Sequence, residues 1–198
     1  MSGKNLREAA AAATRARIMD AARSIFGAKG YEVALLAEIV AAADVTTGAV
    51  YHHFGDKKGL FLAVAEAVEA EIMAGTAKAA ARESDPWAQF TAGVRATLDI
   101  CAAPDVLRIV FLDAPTVIGP AIWREIELKY AFGTMRWALG RLMSTGVIGS
   151  GSPDLLASIL LGTLVEAARG IGRAEEKQSA TDEARRIVDR FLVSLRGA

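Results

Sequence analysis

Residues 45–60 read Val45-Thr46-Thr47-Gly48-Ala49-Val50-Tyr51-His52-His53-Phe54-Gly55-Asp56-Lys57-Lys58-Gly59-Leu60. Val45, Val50 and Phe54 fall on one helical face, and Thr46, Thr47, Ala49, His52 and His53 occupy most of the remaining circumference. That outer face is short, rich in hydrogen-bonding groups and lightly charged, which suits reading base edges in a DNA major groove. A helix this short is unstable alone, so the surrounding chain must hold it in place.

Outward from this stretch, apolar positions recur at helical spacing. Ile18, Ala21, Ala22, Ile25 and Phe26 define a helix from about Leu6 to Ala28, after a frayed start at Met1–Asn5, and Gly30 stops it. A second short helix spans Leu36–Ala42, and Ala43-Asp44-Val45 forms the turn before a third at Thr46–His53. Thr46 is placed to cap that third helix, and Asp44 must tolerate positive φ. Phe54 reads as core, and Tyr51 can both pack and donate its hydroxyl.

The run from Gly30 to Phe61 resembles the DNA-binding domain of the tetracycline-repressor (TetR) family of one-component transcriptional regulators. The matching residues are Gly30-Tyr31, Ile39, Ala43 to Val45, Thr46, Gly48, Tyr51, His53, Phe54, Lys57 and Leu60. The resemblance implies an all-α fold: a three-helix helix-turn-helix domain over residues 1–56, joined to a helical effector-binding and dimerisation domain over 57–198. It implies that Tyr51, His53 and Lys57 contact phosphates and that Arg17 reaches the backbone or minor groove. Thr46, Gly48, Thr47, Ala49 and His52 would then lie against the operator, the last three as base readers. The chain departs from the family at Ala34 and Leu35, where Thr or Ser is usual as cap and phosphate ligand, and at Asp44, where Gly is usual. A lost cap costs about 1 kcal/mol.

Composition sets the wider frame. The 198 residues are 53% hydrophobic with a formal net charge of zero, but Met1–Lys29 holds six basic and two acidic residues. A basic end on a neutral chain fits a local phosphate-contacting module. One cysteine, Cys101, excludes an intramolecular disulfide and fits a cytoplasmic protein. The N-terminus lacks a signal-peptide pattern, and no uninterrupted apolar run reaches about 18 residues, so no membrane span is expected. His52 and His53 project about 100° apart, unlike an i, i+4 ligand pair, so neither a metal nor a cofactor is expected.

Beyond Lys57, helices are expected at Lys57–Ala81, from Asp85-Pro86 to Cys101, and from Pro104 to about Leu112. A loop bracketed by Asp113-Ala114-Pro115 and Gly119-Pro120 follows, then helices at Pro120–Thr145, Pro153–Arg173 and Thr181–Leu195. The 153–173 helix is apolar almost all round, which implies burial on both sides; the resemblance implies that it and the last helix form a homodimer interface. Family members respond to small molecules. The aromatic candidates for a pocket are Trp87, Phe90, Phe111, Trp123, Tyr130 and Trp137, with Met135 beside them. The polar candidates are Asp113, Thr116, Glu166 and Arg169. Such a lining would favour a small apolar or aromatic effector.

The functional expectation is a homodimeric repressor on a pseudo-palindromic double-stranded DNA operator. A helical enzyme is disfavoured because no nucleophile–base pair, carboxylate pair or phosphate loop is visible. A small-molecule-binding protein with weakened or lost DNA recognition is the alternative that Ala34, Leu35 and Asp44 keep open.

Overall fold

The structure, a computed structural model, describes residues 3–196; Met1 and Ser2, part of the expected frayed start, lie outside the described residues. Every regular element among them is a helix. The first, α1 (Gly3–Lys29), begins ahead of the expected Leu6 and carries the alanine run Ala9–Ala13, whose helix propensity is high. Ile18, Ala22 and Phe26, four residues apart, form its fully buried stripe. Gly30, at φ 81°, ends it by donating its N–H to the Phe26 carbonyl at 2.8 Å.

Helix α2 (Leu36–Ala43) starts at Leu35, whose side chain cannot cap. Glu38 offsets part of that loss: its Oε2 accepts the Leu35 N–H at 3.3 Å, while its Oε1 accepts from Lys29 Nζ at 2.6 Å. Asp44 adopts the left-handed region (φ 50°, ψ 56°), as the turn chemistry demanded. Thr46 Oγ1 then accepts the Ala49 N–H at 3.2 Å and starts α3 (Thr47–Phe54). Asp56 Oδ1 accepts the Gly59 N–H at 2.6 Å and starts α4 (Lys57–Ala80). A Cβ on Gly59 would lie 2.1 Å from the Phe54 carbonyl oxygen, so the tight α3–α4 corner requires glycine.

Asp85 caps α5 (Pro86–Cys101), which packs along α4 with Thr76 and Thr97 hydroxyls 2.7 Å apart. Helix α6 covers residues 104–117 and corrects one expectation: Asp113-Ala114-Pro115 is not a loop. Leu107–Asp113 is π-helical, and Pro115, which has no N–H, follows directly where the register returns to α. The chain breaks only at Gly119 (φ 99°). Helix α7 (residues 120–144) runs on through a second π-helical stretch, Leu128–Phe132. Ser152 caps α8 (Pro153–Arg173) through the Leu155 N–H at 3.2 Å. Helix α9 (Lys177–Arg196) starts four residues earlier than expected, because Thr181 is not a cap: its hydroxyl donates to the Lys177 carbonyl inside the helix.

Two cores result. One joins α1–α4 to α5–α8 through Phe26, Ile39, Val50, Phe61, Ile109, Trp123 and Ala168, so packing runs continuously across residue 57. The other, built on Phe90, Leu98, Leu139, Leu160 and Leu192, closes the α5–α7–α8–α9 end. From its sequence, helix α8 is expected to be buried on both sides, one of them by another subunit. Within the chain only one side is covered, by Ala157, Leu160, Leu164, Ala168 and Ile171, while Leu155 is 63% exposed. By length and composition this helix is apolar enough to cross a membrane, with mean hydropathy 1.5. Its Glu166–Arg169 ion pair and its packing into both cores are features of a bundle helix.

Candidate nucleic-acid interface and adjoining cavity

Helix α3 is held from below by Val50, which is fully buried, and by half-buried Phe54, with the Arg15 guanidinium 5.2 Å above the Phe54 ring. On the outer side Thr46, Thr47, Gly48 and His52 are exposed, Tyr51 is 53% exposed, and Ala49 and His53 are half-buried. A Cβ at Gly48 would meet nothing closer than Thr46 Oγ1 at 3.8 Å, so no packing inside the chain requires this glycine. It leaves the face open to close approach. The His52 and His53 rings stand 5.3 Å apart at 67°, edge to face. Arg17 is exposed on α1.

Lys57 and Tyr51 differ in setting. Lys57 Nζ lies 4.4 Å above the ring of Tyr31, and Tyr31 in turn packs edge-on against Phe61. The ammonium is therefore positioned by an aromatic platform at the start of α4. One amide at that helix start, Gly59, is already taken by Asp56, so only part of the helix N-terminus is open to an anion.

A second feature lies between α4, α5, α7 and α8: two adjacent cavities of about 210 and 330 Å³, which share Ile72, Thr97, Ala131 and Leu161 as walls. The first is almost wholly apolar and includes Phe90, Met135 and, on its rim, Trp137, which is 62% exposed. The second takes in Phe111, Phe132 and Glu166. Both π-helical stretches contribute wall residues, Phe111 from one and Ala131 and Phe132 from the other.

Of the anticipated pocket residues, Phe90, Met135, Trp137, Phe111 and Glu166 line these cavities, and the others do not. Trp123 is buried in the first core. Trp87 packs on Phe90 with the Arg196 guanidinium 5.6 Å above it. Tyr130 donates its hydroxyl to Glu66 at 3.1 Å, beside Lys129, which holds the Glu66 carboxyl below its usual range. Asp113 accepts the Tyr31 N–H at 2.8 Å, and Thr116 is exposed. Arg169 donates to Glu166 at 2.7 Å and to the Phe111 carbonyl at 3.0 Å, which ties α8 to α6.

The residue that sequence reasoning missed is Glu69. It is 5% exposed and lines the larger cavity together with Cys101, Arg124 and Glu127. Burial, with Glu127 nearby, pushes its carboxyl up to about 7, and burial with Glu69 nearby pushes the Cys101 thiol up to about 12. A signal was available: Phe61, Ala65 and Glu69 continue one four-residue spacing, which puts a carboxyl on an otherwise apolar stripe.

The exposed polar helix on a three-helix platform, backed by a cavity-bearing helical body, defines a DNA-binding regulator. Residues 18–64 match the family described as "Bacterial regulatory proteins, tetR family", and residues 87–195 match "Tetracyclin repressor-like, C-terminal domain". A crystal structure of a TetR-family transcriptional regulator from Pectobacterium atrosepticum is 31% identical, covers 99% of this chain and 98% of its own, and superposes with a TM-score of 0.77. The Transposon Tn10 TetC protein of Escherichia coli is 26% identical across 99% of both chains. The HTH-type transcriptional repressor AcnR of Corynebacterium glutamicum is 44% identical over 52 residues, 26% of this chain and 28% of its own. The chain belongs to the TetR family. It is a transcriptional regulator and not an enzyme.

Proposed function

We propose that the protein is a homodimeric repressor that binds a pseudo-palindromic operator and is released by a small, largely apolar effector. Residues 1–56 form the reader and 57–198 the effector-binding and dimerisation body, with the chain working in the cytoplasm, away from membranes. The observation that carries this reading is the outer face of α3, polar, open and braced by Val50 and Phe54. Two copies about 34–36 Å apart would enter successive major grooves. The departures at Leu35 and Asp44 are absorbed locally, by the Glu38 carboxylate and by an aspartate in left-handed geometry, which favours a working reader over a decayed one. Helix α4 links the two functions. It begins at Lys57 and reaches the cavity at Glu69, about 18 Å along its axis. An effector that fits one α4 position better than the other would shift the spacing of the two readers.

Selection of random duplex DNA by the purified protein at about 0.1 M salt should enrich an inverted repeat; a folded dimer that enriches nothing would refute the reading. On that operator, Tyr51→Ala and Lys57→Ala should weaken binding to all sequences. Lys57→Ala should also lower the salt slope by about one per protomer. Thr47→Ala or His52→Ala should instead relax preference at single base positions, at about 1–3 kcal/mol each. A uniform loss across sequences would remove both from base reading.

A further inference from the structure

Of the carboxyls on the cavity wall, one has no counterpart within the described residues. Glu166 has Arg169 at 2.7 Å, and Glu127 has Arg124 at 3.3 Å. Glu69, the most buried carboxyl on the same wall, accepts no hydrogen bond and forms no ion pair among the described residues. The groups facing it from the packed helices are Cys101 on α5, Arg124 and Glu127 on α7, and Glu166 on α8. Arg124 is engaged by Glu127, and Cys101 stays a neutral thiol. A carboxylate in such a place lacks a cationic donor. Ile72 and Leu161 wall both this polar spot and the adjacent apolar lobe beside Phe90 and Met135.

We infer that the effector is an amphipathic organic cation, with a protonated amine that pairs with Glu69 and an alkyl or arylalkyl body that lies along the apolar lobe. This rests on reading the cavity as the effector site, and it narrows that reading from a merely apolar molecule to a charged class. It also sets a direction of exclusion, because an anionic head such as a fatty-acid carboxylate would meet Glu69 and Glu127 with like charge. A charge-assisted hydrogen bond in a water-poor wall is the strongest anchor such a site can offer.

Calorimetric titration of the full-length protein with n-octylamine, n-octanol and octanoate tests this, because the three share a tail and differ in head charge. At about pH 8, above the range where Glu69 ionises, octylammonium should bind at least about tenfold tighter than octanol, and octanoate should bind worst. The advantage over octanol should shrink on lowering the pH to about 6, since the amine keeps its proton up to about pH 10 and only the wall changes. In Glu69→Gln the advantage should vanish while octanol affinity is retained. Should that variant fail to fold, the wild-type order and its pH trend still decide the matter. Octanol or octanoate binding as tightly as the amine would overturn the inference but leave the cavity as an apolar effector site. An amine advantage that survives Glu69→Gln would equally overturn it. Binding by none of the three would overturn both readings of the cavity.

Discussion

Glu69 is a buried carboxyl whose chemistry conflicts with its position, and the conflict has a sign. Its carboxyl is raised from 4.5 to about 7, first by burial and then by Glu127. Between those two values the unfolded chain releases the proton and the folded chain keeps it. Stability therefore falls as pH rises through the window, and the full penalty is present above it. The penalty is bounded at about 3 kcal/mol. Glu69→Gln, which keeps the shape and removes the charge, should raise stability by about 1–3 kcal/mol at pH 8 and change it little near pH 4.5. Thermal unfolding across that range is the check. An equal gain at both ends would mean the amide acts through packing. A carboxyl kept at such a cost, where leucine would fill the same stripe, is what a ligand-recognition role accounts for and a structural role does not.

At the scale of helices, two connections join the DNA reader to the body. One is α4 itself, shared by both. The other is α6, whose Asp113 accepts the Tyr31 N–H at 2.8 Å and whose Asp105 accepts from Arg23 Nε at 3.0 Å. A Cβ on Gly27 would lie 2.6 Å from that of Asp105, so α6 approaches α1 at backbone distance. Asp113→Ala removes the Tyr31 acceptor and should cost about 1–2 kcal/mol, with amide exchange of the 31–35 turn about tenfold faster. Asp113→Asn, which retains a carbonyl oxygen, should restore most of the protection. Unchanged exchange in the alanine variant would remove Asp113 from that second connection and leave it to Asp105 and Gly27. This second route was hidden in the sequence, where Asp113-Ala114-Pro115 has the composition of a loop. The π register of Leu107–Asp113 carries the chain past Pro115, and register depends on tertiary packing that no periodicity reports. By contrast α3, α4, α5 and α8 begin where Thr46, Asp56, Asp85 and Ser152 cap them, so their starts were legible from residue type alone. The outer face of α3 was legible for the same reason. The cavity was not, because aromatics at helical spacing serve core and pocket alike, and Trp123 and Trp137 part company only once the helices are packed.

The whole molecule leaves one surface unexplained by a single chain. Helix α8 is apolar on nearly every side, yet its Leu155 and Ile159 are 63% and 47% exposed, and on α9 Ile187 and Val193 are 47% and 67% exposed. A Cβ at Gly162 or Gly170 would meet nothing within 4 Å, which leaves room beside α8 for another helix to come close. Large exposed apolar faces are uncommon on single chains, and in the homodimer proposed above a second copy would cover this one with twofold symmetry, matching the symmetry of an inverted repeat. In that proposed dimer the symmetry would also give the effector its leverage, since two rigid readers would have to reach two half-sites at once and a small change at either α4 would alter their separation. Replacing both Leu155 and Ile159 with Glu should yield monomers in sedimentation analysis, with the secondary structure retained. Affinity for a full inverted repeat should fall about 100-fold or more, because the second half-site no longer binds within one complex, while the weak affinity for an isolated half-site stays the same. A variant that remains dimeric would move the interface off α8. A monomeric variant that kept full operator affinity would show that the two half-sites are read independently, and the spacing mechanism for release would then have no basis.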